Sequence, residues 1–387
     1  MTHVSMHIDM LRHPLELPCG AILKNRLAKS AMSDSLANGE GEPTAAQMRL
    51  YERWANGGIA LSLIGEVQGD FRFPEKPGNL VLGETANQPM LHSLTRRAAI
   101  NNSHLWVQLG HAGALSHPPI SRAAGPSALD INGIKCREMS IDEVRELPHM
   151  FAKTAAAAKA VGFSGVQIHA AHGFLLSQFL SPLFNRRNDD YGGSIEARCR
   201  IIVEVIEKVR SMVGAKFPVG IKINSSDQLE GGLSEEDALV LVHILERTSL
   251  DLIDLSGGTY FPGAKASSDA PNKGPYFFNF ARQAKNITNI PLMLTGGFKS
   301  RAQALDVVAS GAVDVVGLAR AMVLDPHLAK VWLAEEGGDP MFPRFQAAPP
   351  GGITAWYTMR LTALGEDRED TFSLDISSAI RAYEERD

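Results

Sequence analysis

The chain has 387 residues, 44% of them hydrophobic and 21% charged, which is enough to bury a large core. Its formal net charge of -5, with Lys and Arg scattered along the chain, argues against nucleic acid or an anionic membrane as partner, because both favour a strongly basic surface. No signal peptide, no run of about 18 apolar residues and no close pair of cysteines is present, so we expect a soluble, cytoplasmic protein with small-molecule partners.

The first predicted element is a small hairpin over Leu15 to Asn25, placed to cover one end of the core. Eight apolar, strand-like runs follow it. They span Arg26 to Met32, Ile59 to Val67, His104 to Leu109, Gly165 to His169, Val219 to Ile223, Leu252 to Leu255, Pro291 to Leu294 and Val313 to Gly317. Helical periodicity separates the runs, most clearly in Ile141 to Val161, Ser194 to Val213 and Glu235 to Arg247, and each of these segments has a serine suited to cap it.

Eight strands, each followed by a helix, predict an α/β fold of the (β/α)8 TIM barrel type, because buried parallel strands are continuous Val, Ile and Leu runs. We expect the barrel core over about residues 26–330 and a C-terminal extension with a helical tail over residues 331–387. No repeat or linker divides the chain, so residues 1–387 are predicted to form a single domain. The loop from Gly110 to Cys136, after the third strand, is long enough to indicate a functional role.

The fourth predicted strand ends in two histidines, His169 and His172, at the edge where barrels bind their ligands. The pair has three interpretations: hydrogen-bonded structural residues, ligands of a metal ion, or donors aimed at a substrate oxygen that gains negative charge. The spacing differs from the i,i+4 pair with an acid that a metalloprotease uses, so we do not predict a metal site. The position at a strand end favours the third interpretation.

Other predicted strands also end in polar side chains. The third ends in Gln108 and the fifth in Lys222, an amide and a cation that suit the edge of a flat heterocycle which gains negative charge on reduction. The structural alternatives are that Gln108 caps its strand and that Lys222 forms an ion pair with Glu66. The first strand ends in Ser30, followed by Ala31, Met32 and Ser33.

The loops after the seventh and eighth strands are glycine-rich, and barrels often bind phosphate at this position. The seventh strand leads into Gly296 and Gly297, and the eighth ends in Gly317, followed by Ala319 and Arg320. Glycine lets the backbone approach an anion, and arginine adds a bidentate charged contact. The alternative is a pair of tight turns with a surface arginine.

These residues occur in a sequence that resembles the Old Yellow Enzyme family of FMN-dependent oxidoreductases. The resemblance rests on HAAHG, FLSP and NRRNDDYGGS in the central stretch, with LKNRLAKSAM, VQLGHAG, LIDLSGG and VVGLARAMVLDP in the expected order. It covers about residues 12–330. It implies a tightly bound FMN across the C-terminal mouth of the barrel, NADH or NADPH as electron donor, and a ping-pong cycle.

By matching position, the resemblance also implies the roles of individual residues. His169 and His172 would be catalytic, binding the oxygen of an electron-poor alkene that accepts hydride. The residues that would contact FMN are Ser30, Ala31, Met32, Val67, Gln108, Lys222, Gly296, Gly297, Gly317, Ala319 and Arg320.

The sequence departs from the family most clearly at Phe174, where ene-reductases commonly carry a tyrosine that donates a proton. Water, Tyr260 or Tyr357 would have to replace that tyrosine, or the reaction would run as a dehydrogenation or demethylation. Ser33 and Ser35 differ from one subgroup, and Ala31 replaces a frequent proline. A metal-dependent lyase or hydrolase and a non-catalytic flavin protein also remain as alternatives. The substrate, the choice between NADH and NADPH and the oligomeric state, including a homo-oligomer, are open.

Overall fold

The computed structural model of the chain describes residues 10–70, 72–76, 78–83, 87–117, 122–264, 274–345 and 348–386. Its strands are β1 (Leu15–Glu16), β2 (Ile22–Leu23), β3 (Leu27–Met32), β4 (Leu61–Gln68), β5 (His104–Gly110), β6 (Ala124–Gly125), β7 (Leu129–Ile131), β8 (Ile134–Glu138), β9 (Gly165–Ala170), β10 (Val219–Asn224), β11 (Leu252–Ser256), β12 (Leu292–Thr295) and β13 (Val315–Leu318). Eight of them close a parallel barrel in the order β3, β4, β5, β9, β10, β11, β12, β13. The predicted TIM barrel is confirmed, with each strand within two residues of its predicted ends.

Helices surround the barrel and alternate with its strands. They are α1 (Ala45–Asn56), α2 (Gln88–Ala98), α3 (Ile141–Ala160), α4 (Leu175–Leu180), α5 (Ile195–Val213), α6 (Glu235–Leu245), α7 (Phe278–Lys285), α8 (Arg301–Ala309), α9 (Arg320–Leu324), α10 (Leu328–Ala334), α11 (Gly352–Gly365) and α12 (Ile376–Glu384). The predicted serine caps form, since Ser140, Ser194 and Ser234 each accept a backbone N–H at the start of α3, α5 and α6. None of the described helices is both long and apolar enough to cross a membrane.

The N-terminal hairpin closes one end of the barrel. Strands β1 and β2 pair antiparallel, as predicted. Leu17 and Leu23 are buried and belong to the same apolar cluster as Leu61, Trp106 and Met293, which come from barrel strands. The hairpin therefore covers the N-terminal end of the barrel, and ligands of such barrels bind at the opposite end, where the strands finish.

The long loop after β5 forms a small sheet of its own. Strand β8 pairs antiparallel with β7 and parallel with β6; residues 118–121 of this loop lie outside the described part. The Arg187 guanidinium, from the NRRNDDYGGS segment, donates to the carbonyl oxygens of Pro126 and Met139 at 2.9 and 2.8 Å and pairs with Asp189. That segment therefore ties the loop to the barrel.

The C-terminal extension packs against the first helix of the barrel. Arg49 and Arg53 of α1 donate to the carbonyl oxygens of Gly365 and Leu364 at 2.6 and 2.9 Å. Trp356 of α11 donates from its indole nitrogen to Leu374 O at 2.9 Å, which holds the chain leading into α12 against α11. The extension is thus attached along one side of the barrel.

Candidate active site

The carboxyl ends of the barrel strands open into a cavity of about 640 Å³, within the size range of small-molecule and cofactor sites. Its wall includes strand ends, the loops that follow them, and Ile353 and Tyr357 of α11. Eight of the predicted site residues line it: Ala31, His172, Lys222, Gly296, Gly297, Gly317, Ala319 and Arg320.

One end of the cavity has the features of an anion site. Gly296 and Gly297 have φ of 119° and 85°, a region that favours glycine, and a Cβ on Gly297 would collide with the carbonyl oxygen of Gly274. The Arg320 guanidinium forms no hydrogen bond or ion pair with the described residues and lies 5.0 Å from the centre of the Tyr357 ring. A half-buried positive charge beside glycine backbone suits a phosphate group.

A buried polar network lies below the cavity, centred on Asp254. Lys222 Nζ lies 3.0 Å from Asp254 Oδ2, Thr295 donates to Oδ1 at 2.6 Å, and Gln167 donates to Oδ2 at 3.2 Å. The alternative interpretation, in which Lys222 forms an ion pair with Glu66, is wrong, because Lys222 pairs with Asp254. Lys222 and Asp254 are register partners on adjacent strands, which puts their side chains on the same face, so Asp254 is the nearer carboxylate.

The remaining predicted cofactor residues have different surroundings. Gln108 donates to Gln167 Oε1 at 2.7 Å, so it belongs to the Asp254 network and does not merely cap its strand. Ser30 reaches the network through Thr295, at 2.8 Å between the hydroxyl oxygens. Met32 and Val67 pack in or against the main apolar core and are not part of the cavity wall among the described residues.

His172 is held in an unusual backbone conformation at the edge of the cavity. Its φ of 61° lies in the left-handed region, which is rare for a residue with a side chain. Asn224 Oδ1 accepts from the His172 backbone N–H at 3.1 Å, and Tyr260 N donates to His172 O at 3.0 Å. These contacts fix the ring position, with His172 Nε2 lying 2.9 Å from the hydroxyl of Ser256.

The two histidines touch each other and are neutral. His169 Nε2 and His172 Nδ1 are 3.1 Å apart; His169 is buried, and His172 is half-buried at the cavity wall. Burial lowers the pKa of His169 well below its usual range, and Lys222 adds to this effect. Burial also lowers the pKa of His172, with a further contribution from His169. Each ring therefore carries one N–H and acts as a neutral donor.

Aromatic rings surround the histidine pair. Phe174 is buried, and its ring centre lies 4.9 Å from that of His169. The Tyr260 ring centre lies 6.1 Å from His172 and 5.6 Å from Phe174, and Tyr260 is 61% exposed. Tyr357, by contrast, lies beside Arg320. Of the two tyrosines considered from sequence, Tyr260 is the one that contacts the histidines.

Sequence reasoning missed the role of Glu66 and did not consider Asp254, two buried carboxyl groups of the site. Glu66 hydrogen-bonds to His169 Nδ1, and Asp254 pairs with Lys222. Both are 3% exposed or less. The available signal was a carboxyl group inside an otherwise apolar strand, in LSLIGEVQ and LIDLS, since an acid at such a position is usually paired.

The family model of the NADH:flavin oxidoreductase / NADH oxidase family matches residues 11–334. The chain belongs to this family. It is also 33% identical over 350 residues to the NADH-dependent flavin oxidoreductase iliE of Hypocrea jecorina, covering 82% of this chain and 87% of the relative. The protein is therefore an FMN-dependent oxidoreductase, and the resemblance to the Old Yellow Enzyme family is confirmed.

Solved structures agree on the fold. The old yellow enzyme homologue of Zymomonas mobilis has a TM-score of 0.75 and 20% identity, covering 85% of this chain and 94% of that one. A 2-naphthoyl-CoA reductase, in a complex with 2-naphthoyl-CoA, has a TM-score of 0.80 and 24% identity and covers 85% of this chain. This chain spans about half (53%) of that reductase.

Proposed function

We propose that this protein reduces an alkene conjugated to a carbonyl or nitro group, using NADH or NADPH in a ping-pong cycle. FMN, when bound, would supply the chemistry that takes hydride from the nicotinamide and gives it to the alkene. The observation that carries the proposal is the neutral pair His169 and His172, held at the edge of the cavity beside Lys222. Neutral N–H donors bind an oxygen that becomes negative in the transition state.

The residues present fit FMN. We infer that Gly296, Gly297 and Arg320 hold its phosphate, because they combine open backbone with a positive charge that has no acidic partner in the described structure. Lys222 lies in the cavity wall, and we infer that it contacts the polar edge of the flavin, with Gln108 joined to the same network through Gln167. Lys222 is already paired with Asp254, so part of its positive charge is balanced before a negatively charged group binds beside it.

We infer that the acceptor binds in the cavity with its oxygen towards His172. That ring has its Nε2 at the cavity wall, next to the Ser256 hydroxyl. An acceptor oxygen would join or replace the contact to Ser256. Phe174, packed on His169, adds an apolar surface and no proton.

Phe174 also favours a second candidate function, the oxidation of a substrate such as an amine. Hydride removal from a substrate needs no acid at this position, so the lack of a hydroxyl on Phe174 would not slow the reaction. Anaerobic stopped-flow reduction of the FMN-loaded protein separates the two functions. Rapid bleaching by NADH or NADPH supports the first, and bleaching by an amine but not by either nicotinamide supports the second.

A metal-dependent lyase or hydrolase receives no support from the site. No group of three or more His, Cys, Asp or Glu that could hold a metal ion occurs in the part of the chain that the structure describes. His169 and His172 are instead hydrogen-bonded to Glu66, to each other and to Ser256.

The test of the main proposal has two parts. NADH or NADPH should bleach the flavin absorbance of the purified protein, and 2-cyclohexenone should restore it under anaerobic conditions with formation of cyclohexanone. Bleaching without reoxidation by 2-cyclohexenone or by a nitroalkene would contradict the proposal.

The phosphate assignment is tested by Arg320→Ala. Loss of a charged contact to phosphate should weaken FMN binding about 10- to 100-fold, measured by quenching of flavin fluorescence. Arg282→Ala is the matched control, because Arg282 is exposed on α7 and does not line the cavity. Equal FMN affinity in the two variants would remove Arg320 from the site.

A further inference from the structure

Glu66 is a buried carboxyl group behind the histidine pair. It lies at an irregularity of β4, where the pairing with β5 shifts register between Ile64 and Val67, and its φ of 49° is left-handed. Gly110 of β5 leaves room for it, since a Cβ on Gly110 would collide with Glu66 Oε2. A strained backbone and a glycine gap therefore position one carboxyl group inside the barrel.

An unbroken chain of hydrogen bonds joins Glu66 to the cavity. Its Oε1 contacts His169 Nδ1, His169 Nε2 lies 3.1 Å from His172 Nδ1, and His172 Nε2 lies 2.9 Å from Ser256 Oγ. Glu66 and His169 are absent from the cavity wall, whereas His172 and Ser256 are part of it. The chain thus runs from a group isolated from the cavity to the place where the acceptor binds.

Each contact in this chain holds one proton, so the state of Glu66 sets the direction of all of them. If Glu66 is a carboxylate, His169 must donate from Nδ1 and His172 from its own Nδ1, which leaves His172 Nε2 without a hydrogen. If Glu66 is protonated, His169 and His172 both carry hydrogen on Nε2. Only the protonated state presents an N–H to an acceptor oxygen in the cavity.

Two observations favour the protonated state. Burial raises the pKa of Glu66 to about 8, although the charge of Lys222 opposes the rise. The Glu66 carboxyl also has no lysine or arginine ion-pair partner among the described residues, because Lys222 is paired with Asp254. A buried carboxyl group without a cation beside it favours its neutral form.

The other titratable and charged groups around Glu66 come from neighbouring strands. His169 on β9 contacts it directly and is neutral. Lys222 on β10 is paired with Asp254 on β11, so much of its charge is already balanced. Tyr260, in the loop after β11, also interacts with Glu66.

We propose that Glu66 is the proton source of the reaction, acting through His169 and His172 on the oxygen of the acceptor. The inference rests on the proposed reduction of a conjugated alkene. As hydride forms the new C–H bond at the β-carbon, the C=C electron pair shifts towards the oxygen, which takes the proton from His172 Nε2. His172 Nδ1 takes the proton of His169 Nε2, and His169 Nδ1 takes that of Glu66.

The step leaves an enol, a Glu66 carboxylate and two neutral histidines in the opposite tautomer. After the enol departs, solvent in the open cavity returns a proton along the same chain. The enol becomes the ketone in water, where either face of the α-carbon is protonated. In D2O, an α-methyl enone should therefore give a product without stereochemical preference at the α-carbon.

The kinetic test compares Glu66→Gln with wild type as FMN-loaded, NADH-reduced protein. Gln has the same shape as Glu but no acidic proton, so reoxidation by 2-cyclohexenone should slow by about 100-fold. Reoxidation by ferricyanide, which removes electrons without protonating a bound oxygen, should stay within about two-fold. The wild-type rate with 2-cyclohexenone should fall as pH rises through about 8, and the Gln variant should lose this pH dependence.

Glu66→Asp is the conservative variant. It keeps an acid at the end of a shorter side chain, so it should restore part of the rate together with a pH dependence. A Glu66→Gln protein that reduces 2-cyclohexenone within about three-fold of wild type, with the same pH profile, would overturn the proposal.

A second readout needs no acceptor. In protein labelled with ¹⁵N-histidine, the ring nitrogens of His169 and His172 should change from the Nε2–H to the Nδ1–H tautomer as pH rises through the Glu66 titration. Glu66→Gln should abolish this change. If wild type fails to reduce alkenes yet shows the tautomer change, the proposed function fails and the proton chain stands; if the tautomers do not change with pH, the proton chain fails.

Discussion

At the scale of single residues, Tyr260 and Tyr357 lie on different sides of the site. Tyr260 contacts the rings of His172 and Phe174, whereas Tyr357 lies under the Arg320 guanidinium at the anion end of the cavity. Burial raises the pKa of Tyr357 to about 12, so its hydroxyl stays protonated through the neutral range. Its position places it beside the proposed phosphate site and away from the proposed acceptor site.

We therefore expect Tyr357→Phe to leave alkene reduction unchanged within about two-fold. The ring that supports Arg320 is retained, and the lost hydroxyl lies away from the histidines. Steady-state reduction of 2-cyclohexenone measures the effect, with Tyr260→Phe as the comparison. A loss of more than ten-fold in Tyr357→Phe alone would identify Tyr357 as the proton donor and would also weaken the role proposed for Glu66.

At the scale of elements, the interface between β3 and α1 contains a buried lysine. Lys29 is fully buried, with Nζ 4.3 Å from the centre of the Trp54 ring and 3.4 Å from Leu63 O. Burial lowers its pKa to about 7, partly offset by Asp34. The nearby Asp34 carboxylate already accepts from Tyr51, so Lys29 has no close ion pair among the described residues.

Lys29→Met should raise the free energy of unfolding, most strongly below about pH 7. Below that pH the folded protein must bury a charged amine; between about pH 7 and 10.5 it binds fewer protons than the unfolded chain. The free energy of unfolding of wild type should therefore rise by up to about 1.4 kcal/mol per pH unit between about pH 7 and 10.5. The difference in stability between Lys29→Met and wild type should shrink by the same amount. Urea unfolding at pH 6 and 9 measures this, with exposed Lys153→Met as control. An advantage independent of pH would contradict the explanation.

The hairpin plug at the other end of the barrel gives a separate prediction. Leu17 is 2% exposed within the apolar cluster that closes the barrel, so Leu17→Ala should lower the free energy of unfolding by about 2–5 kcal/mol. FMN affinity should stay unchanged, because the cavity lies at the opposite end. Ile22→Ala is the matched control in the same hairpin, since Ile22 is 56% exposed and should cost little. Equal losses in both variants would argue against a plug.

At the scale of the whole molecule, the C-terminal extension is part of the wall of the cavity. Ile353 and Tyr357 of α11 line the cavity, and α11 is held to α1 through Arg49 and Arg53. Helix α12 packs on α11 and has only Ala379 buried among its own residues. The two helices therefore differ in what they contribute to the site.

Removal of residues 351–387 should speed FMN release about ten-fold, because it opens the side of the cavity beside Arg320. Removal of residues 376–387 alone should have a much smaller effect, since α11 and Tyr357 remain. Recovery of flavin fluorescence after dilution of the loaded protein measures release. Equal release rates in the two deletions would show that α11 does not enclose the cofactor.

The amino-acid sequence by itself determined the barrel, its hairpin and the ends of its strands, because apolar periodicity, serine caps and turn residues act over a few neighbouring positions. It also predicted that His172, Lys222 and Arg320 lie at one edge of the barrel, where all three line the cavity, since polar residues at the ends of parallel strands meet there. Only the tertiary structure decided which groups pair. Lys222 pairs with Asp254 because the two residues are register partners on adjacent strands. Glu66 is on β4 and His169 is on β9, with β5 between them, and the two side chains meet because β4 is irregular at Glu66 and Gly110 of β5 has no side chain. Such contacts depend on the closure of the barrel, which brings together residues about 30 to 100 positions apart.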